Sequence, residues 1–408
     1  MGLETFKEWL RGYKAHYTPI ATTTDNGEQS TSRSPAWRLV WATLPGLILA
    51  GTFCLVLAVT LTTLSRPLSS SSSACQNPVI RQEWRALTRA ERLEFIRAVN
   101  ALAEVPSRWR ENGTVYDDFA VLHGAIGSWG ESDPSRSHAA APSCRTETYD
   151  AADEISAPAH RSASFLPWHR YTLILFEDAL REHAGFAGHV PYWDWSLDWM
   201  DLANSSIWST DDGFGGDGDA RGPVVVGDGR CVVDGPFAHL LPILYNHTFA
   251  RHCLSRGFHD GATMGRLSGE AYRPEKMGEI LREPTYHGFR RQLEIYLHGA
   301  LHQGVNGDFK AMTAANGQYP WYHPVGPSRS RCGIDPLFYV HHAQLDRTWW
   351  RWQQMYPRTR LLEYEGRHMF NSTGNATLND ELLYGSFAAS IPVAKVMDTE
   401  GGFLCYKY

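Results

Sequence analysis

The sequence predicts a mainly α-helical fold, a helical bundle with long loops preceded by one N-terminal transmembrane helix. A stretch of 27 residues between Arg38 and Arg66 carries no charge, and several later segments place apolar residues at helical spacing. Strand signals are short and scattered, as in residues 223–228. With 408 residues and 15 Trp, the chain can bury a sizeable core. Its net charge of -6, without basic runs, argues against nucleic-acid binding.

Changes in composition divide the chain into four segments. Residues 1–37 form a polar tail that we expect in the cytosol, and residues 38–65 form a transmembrane signal-anchor long enough to cross a bilayer with some tilt. Residues 66–78 are a Ser-rich stem, and residues 79–408 are the folded domain. A cleaved signal peptide is the closest alternative for the apolar stretch. The length of the apolar stretch and the polar segment before it favour an uncleaved anchor.

The positive charges on the two sides of the span nearly balance, so they do not predict its orientation. The glycosylation sequons and the cysteines predict it instead. All five sequons follow the span, and such sites are usable only in the secretory lumen. Six of the seven cysteines also follow it and allow three disulfides in 15 pairings, the alternative being free buried thiols. We therefore expect a single-pass type II membrane glycoprotein with a lumenal or extracellular domain. The sequon asparagines are Asn112, Asn204, Asn246, Asn371 and Asn375.

The folded domain is predicted to begin with a helix over residues 83–102. Thr88 and Glu91 have the spacing of a capping box, and apolar residues follow at helical spacing. Later segments with helical patterns make a bundle, and bundles build metal sites from side chains on facing helices. These segments are residues 167–183, 286–303 and 338–355, together with a piece that ends at His123.

His298 and His302 lie four residues apart and therefore on one face of a helix. Glu294 precedes His298 by another four, so the three side chains form one stripe. The HGALH sequence lacks the glutamate of HExxH, which removes the general base that a zinc protease needs. Ligands made only of imidazole suit copper or zinc rather than magnesium or calcium.

Two more histidine groups could complete such a site. His160 lies in a loop-like stretch, and His169 follows at a predicted helix start. His341 and His342 point about 100° apart on a helix, so at most one of them shares a metal with the first pair. We favour His342, because Asp346 lies four residues on and could orient its imidazole; His341 is the alternative.

An Asp-Gly-Asp run at residues 217–219 is the basis of an alternative hypothesis about the function of the protein. A type II membrane glycosyltransferase with a carboxylate metal site would share the predicted membrane topology. The Gly- and Asp-rich surroundings are more typical of a loop.

Two long segments resemble the copper-binding signatures of the tyrosinase and catechol oxidase family, the type 3 dinuclear copper proteins. HRSASFLPWHRYTLILFE at residues 160–177 is similar to the first signature, and DPLFYVHHAQLDR at residues 335–347 is similar to the second. The resemblance runs over residues 83–408 and is strongest to fungal short tyrosinases that lack a C-terminal domain. Further similar pieces are VPYWDW (190–195), GFRRQLE (288–294) and LCYKY (404–408).

The resemblance implies a four-helix bundle with a central dinuclear copper site. It implies oxidation of o-diphenols or o-aminophenols to o-quinones by O2, with monophenol o-hydroxylation as a further step. The substrate would be a phenolic small molecule or a phenol-bearing peptide in pigment or secondary-metabolite biosynthesis. A copper protein that binds O2 without turnover is the alternative. The implied ligands are His123, His160 and His169 for one copper ion and His298, His302 and His342 for the other.

The chain departs from the family pattern at the implied catalytic positions. In the family, a glutamate at the position of Glu294 and an asparagine directly after the histidine at the position of His298 would hold the water that deprotonates a monophenol. This chain has Gly299 there, which predicts weak monophenol hydroxylation with diphenol oxidation retained. The alternative is that Gly299 only eases packing beside the metal.

Two further departures concern the surroundings of the site. Pro158 stands where many members have a cysteine that forms a thioether to the next histidine, so packing and hydrogen bonds must fix His160. The chain ends directly after LCYKY, so we expect no C-terminal domain to cover the site.

Overall fold

The structure is a computed structural model that describes residues 75–127, 158–246, 248–311, 335–369 and 374–408. The predicted cytosolic tail, the span over residues 38–65 and most of the stem lie outside this part of the chain. Within the described ranges, no helix combines the length and the apolar character that crossing a membrane requires.

Helices dominate the described residues, which confirms the predicted helical fold. Two π-helical turns, Leu122–Gly127 and Leu293–His298, extend α2 and join α5 to α6. The helices are α1 Arg89–Leu102, α2 Val115–Val121, α3 Phe165–Ala184, α4 Pro274–Leu281, α5 Tyr286–Gln292, α6 Gly299–Val305, α7 Gly307–Ala311, α8 Leu337–Met355 and α9 Pro357–Arg360.

Capping explains where the first helix begins. The Thr88 hydroxyl accepts the N–H of Glu91 at 3.3 Å, and the Glu91 carboxylate accepts the N–H of Thr88 at 2.7 Å. This capping box satisfies free N–H groups at the helix start, so α1 begins at Arg89 rather than at residue 83 as predicted. Residues 84–86 form a separate 3₁₀ turn.

Strands are short and lie around the helices. β1 pairs with β9 in parallel, β2, β3 and β6 form an antiparallel sheet, and β4 with β5 and β7 with β8 form hairpin-like pairs. The strands are β1 Val79–Ile80, β2 Val224–Val226, β3 Gly229–Cys231, β4 Ile243–Asn246, β5 Thr248–Arg251, β6 Ser255–Arg256, β7 Glu381–Leu382, β8 Ile391–Pro392 and β9 Tyr406–Lys407.

A buried ion pair joins α3 to α8. Arg170 Nε donates to Asp346 Oδ1 at 2.5 Å, and the hydroxyls of Tyr406 and Tyr408 donate to Asp346 Oδ2 at 2.5 and 2.6 Å. The prediction that Asp346 orients His342 is therefore wrong. A buried carboxylate is stabilised most by a guanidinium, and Arg170 supplies one from the neighbouring helix.

Two disulfides confirm the expected disulfide bonding. Cys75 bonds Cys405 beside the β1–β9 pairing, and Cys231 bonds Cys253 beside the β3–β6 pairing. The other two cysteines that follow the predicted span, Cys144 and Cys332, lie outside the described residues. The first disulfide ties the closing LCYKY segment to the start of the domain.

Candidate metal centre

Three histidines from separate elements form the first triad. His123 lies on the π-helical turn after α2, His160 on the loop before α3, and His169 on α3. The ring centroid of His123 lies 4.9 Å from that of His160 and 5.6 Å from that of His169. Their ligand atoms all lie within 4.8 Å of one another, so one ion can contact all three rings.

Three histidines from three elements form the second triad. His298 ends the π-helical turn, His302 lies on α6, and His342 lies on α8. The ring centroid of His298 lies 4.4 Å from that of His302 and 5.1 Å from that of His342. Their ligand atoms also lie within 4.8 Å of one another. The structure thus brings all six sequence-predicted ligands into two groups of three.

The two triads adjoin each other in the core. The rings of His169 and His342 are stacked with centroids 4.2 Å apart, and those of His160 and His298 lie 5.7 Å apart. Because α3 and α8 each supply one of the stacked rings, the packing of these two helices sets the separation of the triads. The arrangement is a pair of adjacent three-imidazole sites.

Burial keeps all six imidazoles neutral. It lowers the pKa of His169 and His302 to about 3, and it lowers the pKa of the other four well below the ordinary histidine value. A protonated imidazole has no lone pair for a metal, whereas a neutral one offers one nitrogen. The six side chains are therefore in the protonation state that metal binding needs.

Backbone carbonyls select the ring nitrogen that is left for a metal. His169 Nδ1 donates to the Phe165 carbonyl at 2.7 Å, and His302 Nδ1 donates to the Phe309 carbonyl. Each contact fixes the tautomer and leaves Nε2 as the lone-pair nitrogen. His169 Nε2 lies 3.4 Å from His123 Nε2, so these two nitrogens point toward a common position.

Unsatisfied nitrogens show that an ion fits the site. Nε2 of His160 and of His302, and both ring nitrogens of His298 and of His342, are buried and have no hydrogen-bond partner in the described part of the chain. A buried polar atom without a partner is costly. A metal ion would satisfy one nitrogen of each of these four rings, and a donor set made only of imidazoles suits copper or zinc.

His341 has a separate role, as its direction on α8 predicted. Its Nδ1 accepts the indole N–H of Trp195 at 3.2 Å, and its ring stacks on His298 with centroids 5.8 Å apart. His341 therefore packs against the His298 ring without belonging to a triad, while His342 is a member of the second triad.

Aromatic side chains that sequence reasoning missed pack against the imidazoles. The Phe165 ring lies 4.9 Å from His169 and 5.0 Å from His298, so it contacts both triads. The Phe338 ring lies 4.0 Å from His342. Both residues lie inside the two sequence segments that contain ligand histidines. Their closeness to those histidines in the sequence could have identified them.

Glu294 contacts neighbouring groups of the protein through both carboxylate oxygens. Its Oε1 accepts the backbone N–H of Arg161 at 2.7 Å, and its Oε2 accepts from Arg290 Nη1 at 2.6 Å. Arg161 directly follows His160 of the first triad, and Glu294 lies on the π-helical turn that carries His298 of the second triad. Glu294 therefore connects the loop of His160 to the second triad. Gly299 is buried at the first position of α6, next to His298.

Hydrogen bonds fix the His160 loop in the absence of a thioether. The Ser164 hydroxyl donates to the Pro158 carbonyl at 2.6 Å, and the Tyr286 hydroxyl donates to the Ala163 carbonyl at 2.6 Å. All these partners are buried. The loop is therefore held on both sides of His160, as the proline at position 158 led us to expect.

The carboxylates of the Asp-Gly-Asp run stabilise their own loop. Asp217 Oδ1 accepts the N–H groups of Gly218 and Phe258, both at 2.8 Å. Asp219 Oδ1 accepts the N–H of Arg221 at 3.0 Å. Within the described residues, the groups arranged to hold a metal are the two histidine triads.

Comparison with known proteins gives the family. The family model of the common central domain of tyrosinase matches residues 113–355. The chain is 52% identical over 413 aligned residues to Tyrosinase ustQ of Aspergillus flavus, covering all of both chains. It is 46% identical to Tyrosinase-like protein phomQ2 of Diaporthe leptostromiformis, over 93% of this chain and 90% of the relative.

A solved structure shows the same fold. A mutant polyphenol oxidase from Thermothelomyces thermophila is 24% identical to this chain and superimposes with a TM-score of 0.61, over 86% of this chain and 93% of the other. At this identity the likeness concerns the fold alone. Together with the matching family model and the closely similar sequences, the two histidine triads show that the chain belongs to the tyrosinase family.

Proposed function

We propose that this protein is a copper-dependent oxidase that uses O2 to convert o-diphenols to o-quinones, or o-aminophenols to the corresponding o-quinone imines. The observation that carries the proposal is the pair of adjacent three-histidine groups in a chain of the tyrosinase family. One copper ion would be held by His123, His160 and His169, and the other by His298, His302 and His342.

The reaction balances with O2 as the only oxidant. Each o-diphenol loses two electrons and two protons, and two diphenols reduce one O2 to two water molecules. Copper, when bound, supplies the reversible electron transfer that this reduction needs. The protein supplies neutral imidazoles in fixed tautomers, and Phe165 and Phe338 pack against the rings and keep water away from them.

The surroundings of Gly299 favour diphenols over monophenols. A monophenol must lose its proton before it is hydroxylated, and this requires a base held beside the site. Gly299 has no side chain to hold a water, and both oxygens of Glu294 already accept hydrogen bonds from the protein. We therefore assign Glu294 to positioning the His160 loop, and we expect monophenol hydroxylation to be weak.

The domain is proposed to act in the secretory lumen or outside the cell, anchored by residues 38–65. The two disulfides support an oxidising compartment. Asn112, Asn204 and Asn375 are exposed, as glycosylation requires. The substrate would be a phenolic small molecule or a phenol-bearing peptide in pigment or secondary-metabolite biosynthesis. Protease protection of the domain in intact microsomes tests the orientation.

Oxygen consumption by the purified, copper-loaded protein tests the proposal. We expect O2 uptake with 4-methylcatechol at a ratio of two quinones per O2, and slow uptake with a lag for 4-methylphenol. A His302→Gln variant, which removes one ligand, should lose most of the catechol activity. Reversible O2 binding without quinone formation would instead show an oxygen-binding protein, and rapid monophenol turnover without a lag would contradict the role given to Gly299.

A further inference from the structure

His169 and His302 both donate Nδ1–H to a backbone carbonyl, but the two carbonyls lie in different kinds of place. The acceptor of His169 is Phe165, one turn earlier in the same helix α3. The acceptor of His302 is Phe309, which lies on the separate helix α7. Because α7 has only five residues, its own hydrogen bonds are too few to make it stable. The direction of the His302 ring therefore depends on what holds α7 against the rest of the domain.

Asp308, directly before Phe309, holds α7 through both of its carboxylate oxygens. Its Oδ2 accepts the backbone N–H of Ser255 at 2.8 Å, and its Oδ1 accepts from His252 Nε2 at 2.7 Å. The side chain of Asp308 is 0% exposed and that of His252 is 9% exposed. A buried carboxylate is costly unless it is paired, so the fold favours the one position of α7 in which both contacts are made.

The two partners of Asp308 lie on either side of a disulfide. Cys253 directly follows His252 and bonds Cys231 on β3. Cys231 also pairs with Ser255 in the β3–β6 ladder. The carboxylate of Asp308 is therefore attached to a segment that a covalent bond and a strand pairing both connect to β3.

We propose that Asp308 and His252 position the Phe309 carbonyl and thereby commit Nε2 of His302 to the metal of the second triad. Both are positioning residues, because they act on the ligand through Phe309. A carbonyl that accepts Nδ1–H keeps the imidazole lone pair on Nε2 and fixes the direction of the ring. The proposal rests on the metal site of the proposed function and specifies how one of its ligands is prepared.

Nitrogen NMR of the metal-free full chain, with ¹⁵N-labelled histidine, reads the tautomers directly. The two signals are assigned by their absence from His169→Gln and His302→Gln. In the wild type, the proton should lie on Nδ1 in both rings. Asp308→Ala should give a mixture of tautomers at His302 and leave His169 unchanged, because the acceptor of His169 lies within α3. An unchanged His302 tautomer in Asp308→Ala would overturn the proposal.

Copper titration gives a second readout that is specific to one site. Asp308→Ala should weaken the binding of one of the two ions about tenfold and leave the other unchanged. Combining Asp308→Ala with His302→Gln should not weaken the remaining ion any further, because both changes act on the second triad. Equal weakening of both ions by Asp308→Ala would show a general loss of structure and would contradict a positioning role.

Substitutions of His252 keep the proposal testable if Asp308→Ala does not fold. His252→Ala leaves the buried carboxylate without its imidazole partner and should shift the His302 tautomer in the same direction. His252→Gln can still donate an N–H to Asp308 and should restore the wild-type tautomer. A glutamine variant that is affected as strongly as the alanine variant would refute the role of this hydrogen bond.

An exposed carboxylate beside the same helix provides the matched control. Asp228 Oδ2 lies 3.8 Å from Lys310 Nζ on α7, and the Asp228 side chain is 76% exposed. Asp228→Ala should leave the His302 tautomer and the affinity for both copper ions unchanged. A tautomer shift in this variant would show that α7 responds to any nearby substitution, and the specific role of Asp308 would be lost.

The tautomer measurement needs neither copper nor substrate, so it separates this proposal from the oxidase function. If wild-type protein does not turn over catechol but Asp308→Ala shifts the His302 tautomer, only the oxidase is refuted. If wild-type protein turns over catechol and Asp308→Ala leaves the tautomer unchanged, only the positioning role is refuted.

Discussion

Individual imidazoles in the centre combine deep burial with neutrality. His169 and His302 each donate Nδ1–H to a backbone carbonyl, so their lone pairs are committed to the metal position. Buried imidazole nitrogens without a hydrogen-bond partner cost free energy in the metal-free protein. The centre therefore lowers the stability of the protein until an ion is bound, and this cost depends on pH.

The metal-free protein should become less stable below about pH 6.5. Burial lowers the pKa of His169 and His302 to about 3, so between these two values the unfolded chain binds protons that the folded chain does not. Each such histidine should cost roughly 1 kcal/mol per pH unit. Burial raises the pKa of Asp118 to about 7, so this carboxyl group stabilises the folded protein as the pH falls. Its effect offsets the loss of stability from only one histidine.

Urea unfolding of the chelator-treated protein at about pH 7.5 and about pH 5.5 measures this effect. The copper-loaded protein is the control, and its stability should fall even more steeply with acid, because protons compete with the metal for the folded state. Equal unfolding free energies of the metal-free protein at the two pH values would contradict the neutral state of the buried histidines.

Gly299→Asn should raise monophenol hydroxylation relative to diphenol oxidation. An asparagine beside His298 could hold a water that accepts the phenol proton, which is worth about 1 to 2 kcal/mol in the barrier, or roughly tenfold in rate. The ratio of kcat values for 4-methylphenol and 4-methylcatechol measures the change. A Gly299→Ala variant controls for added bulk, and an equal rise in both variants would refute the role of the amide.

Among the elements, the π-helical turns and the α6–α7 junction set the ligand directions. Asn306 and Gly307 have φ of 60° and 54°, and this turn returns the Phe309 carbonyl to His302. The Phe309 ring also stacks on His302, with centroids 4.1 Å apart. The second triad thus depends on a backbone turn as well as on helix packing.

Gly307→Ala should destabilise the protein and weaken metal binding at the second triad. A Cβ there would lie 2.2 Å from the Ser255 carbonyl oxygen, so the turn must shift in addition to the left-handed strain of about 1 to 2 kcal/mol. Gly185→Ala is the control, since Gly185 has a φ of 63° and open space around it. Urea unfolding and copper titration of both variants give the comparison, and equal losses would show that the close approach is unimportant.

Sequence patterns predicted these elements unevenly. The helices that carry His169, His302 and His342 were predicted within a few residues, because apolar spacing and capping are local signals. The π-helical turns, the Phe309 carbonyl and the partner of Asp346 were not predicted. Each depends on contacts between segments far apart in the chain, and no local pattern encodes such contacts.

Over the whole molecule, the disulfide between Cys75 and Cys405 joins the two ends of the described domain, 330 residues apart. The neighbouring β1–β9 pairing and the contacts of Tyr406 and Tyr408 with Asp346 bring the C-terminal segment to α8. The helices that carry His169 and His342 are therefore held together by the chain ends as well as by their own packing.

Replacing Cys75 and Cys405 together by serine should lower the unfolding free energy more than replacing Cys231 and Cys253. The loops are 330 and 22 residues long, so loop-closure entropy predicts a difference of roughly 2 kcal/mol. Denaturant unfolding of the two double variants measures it. A larger loss from the short loop would show that native-state contacts, rather than chain entropy, dominate.

The copper content of the purified full chain tests the central claim most directly. Two adjacent triads predict two copper ions per chain, and His169→Gln or His342→Gln should each reduce the content toward one. Two ions in the wild type with about one in each variant would agree with one ion per triad. A wild-type chain that binds one ion or none after copper loading would contradict the account.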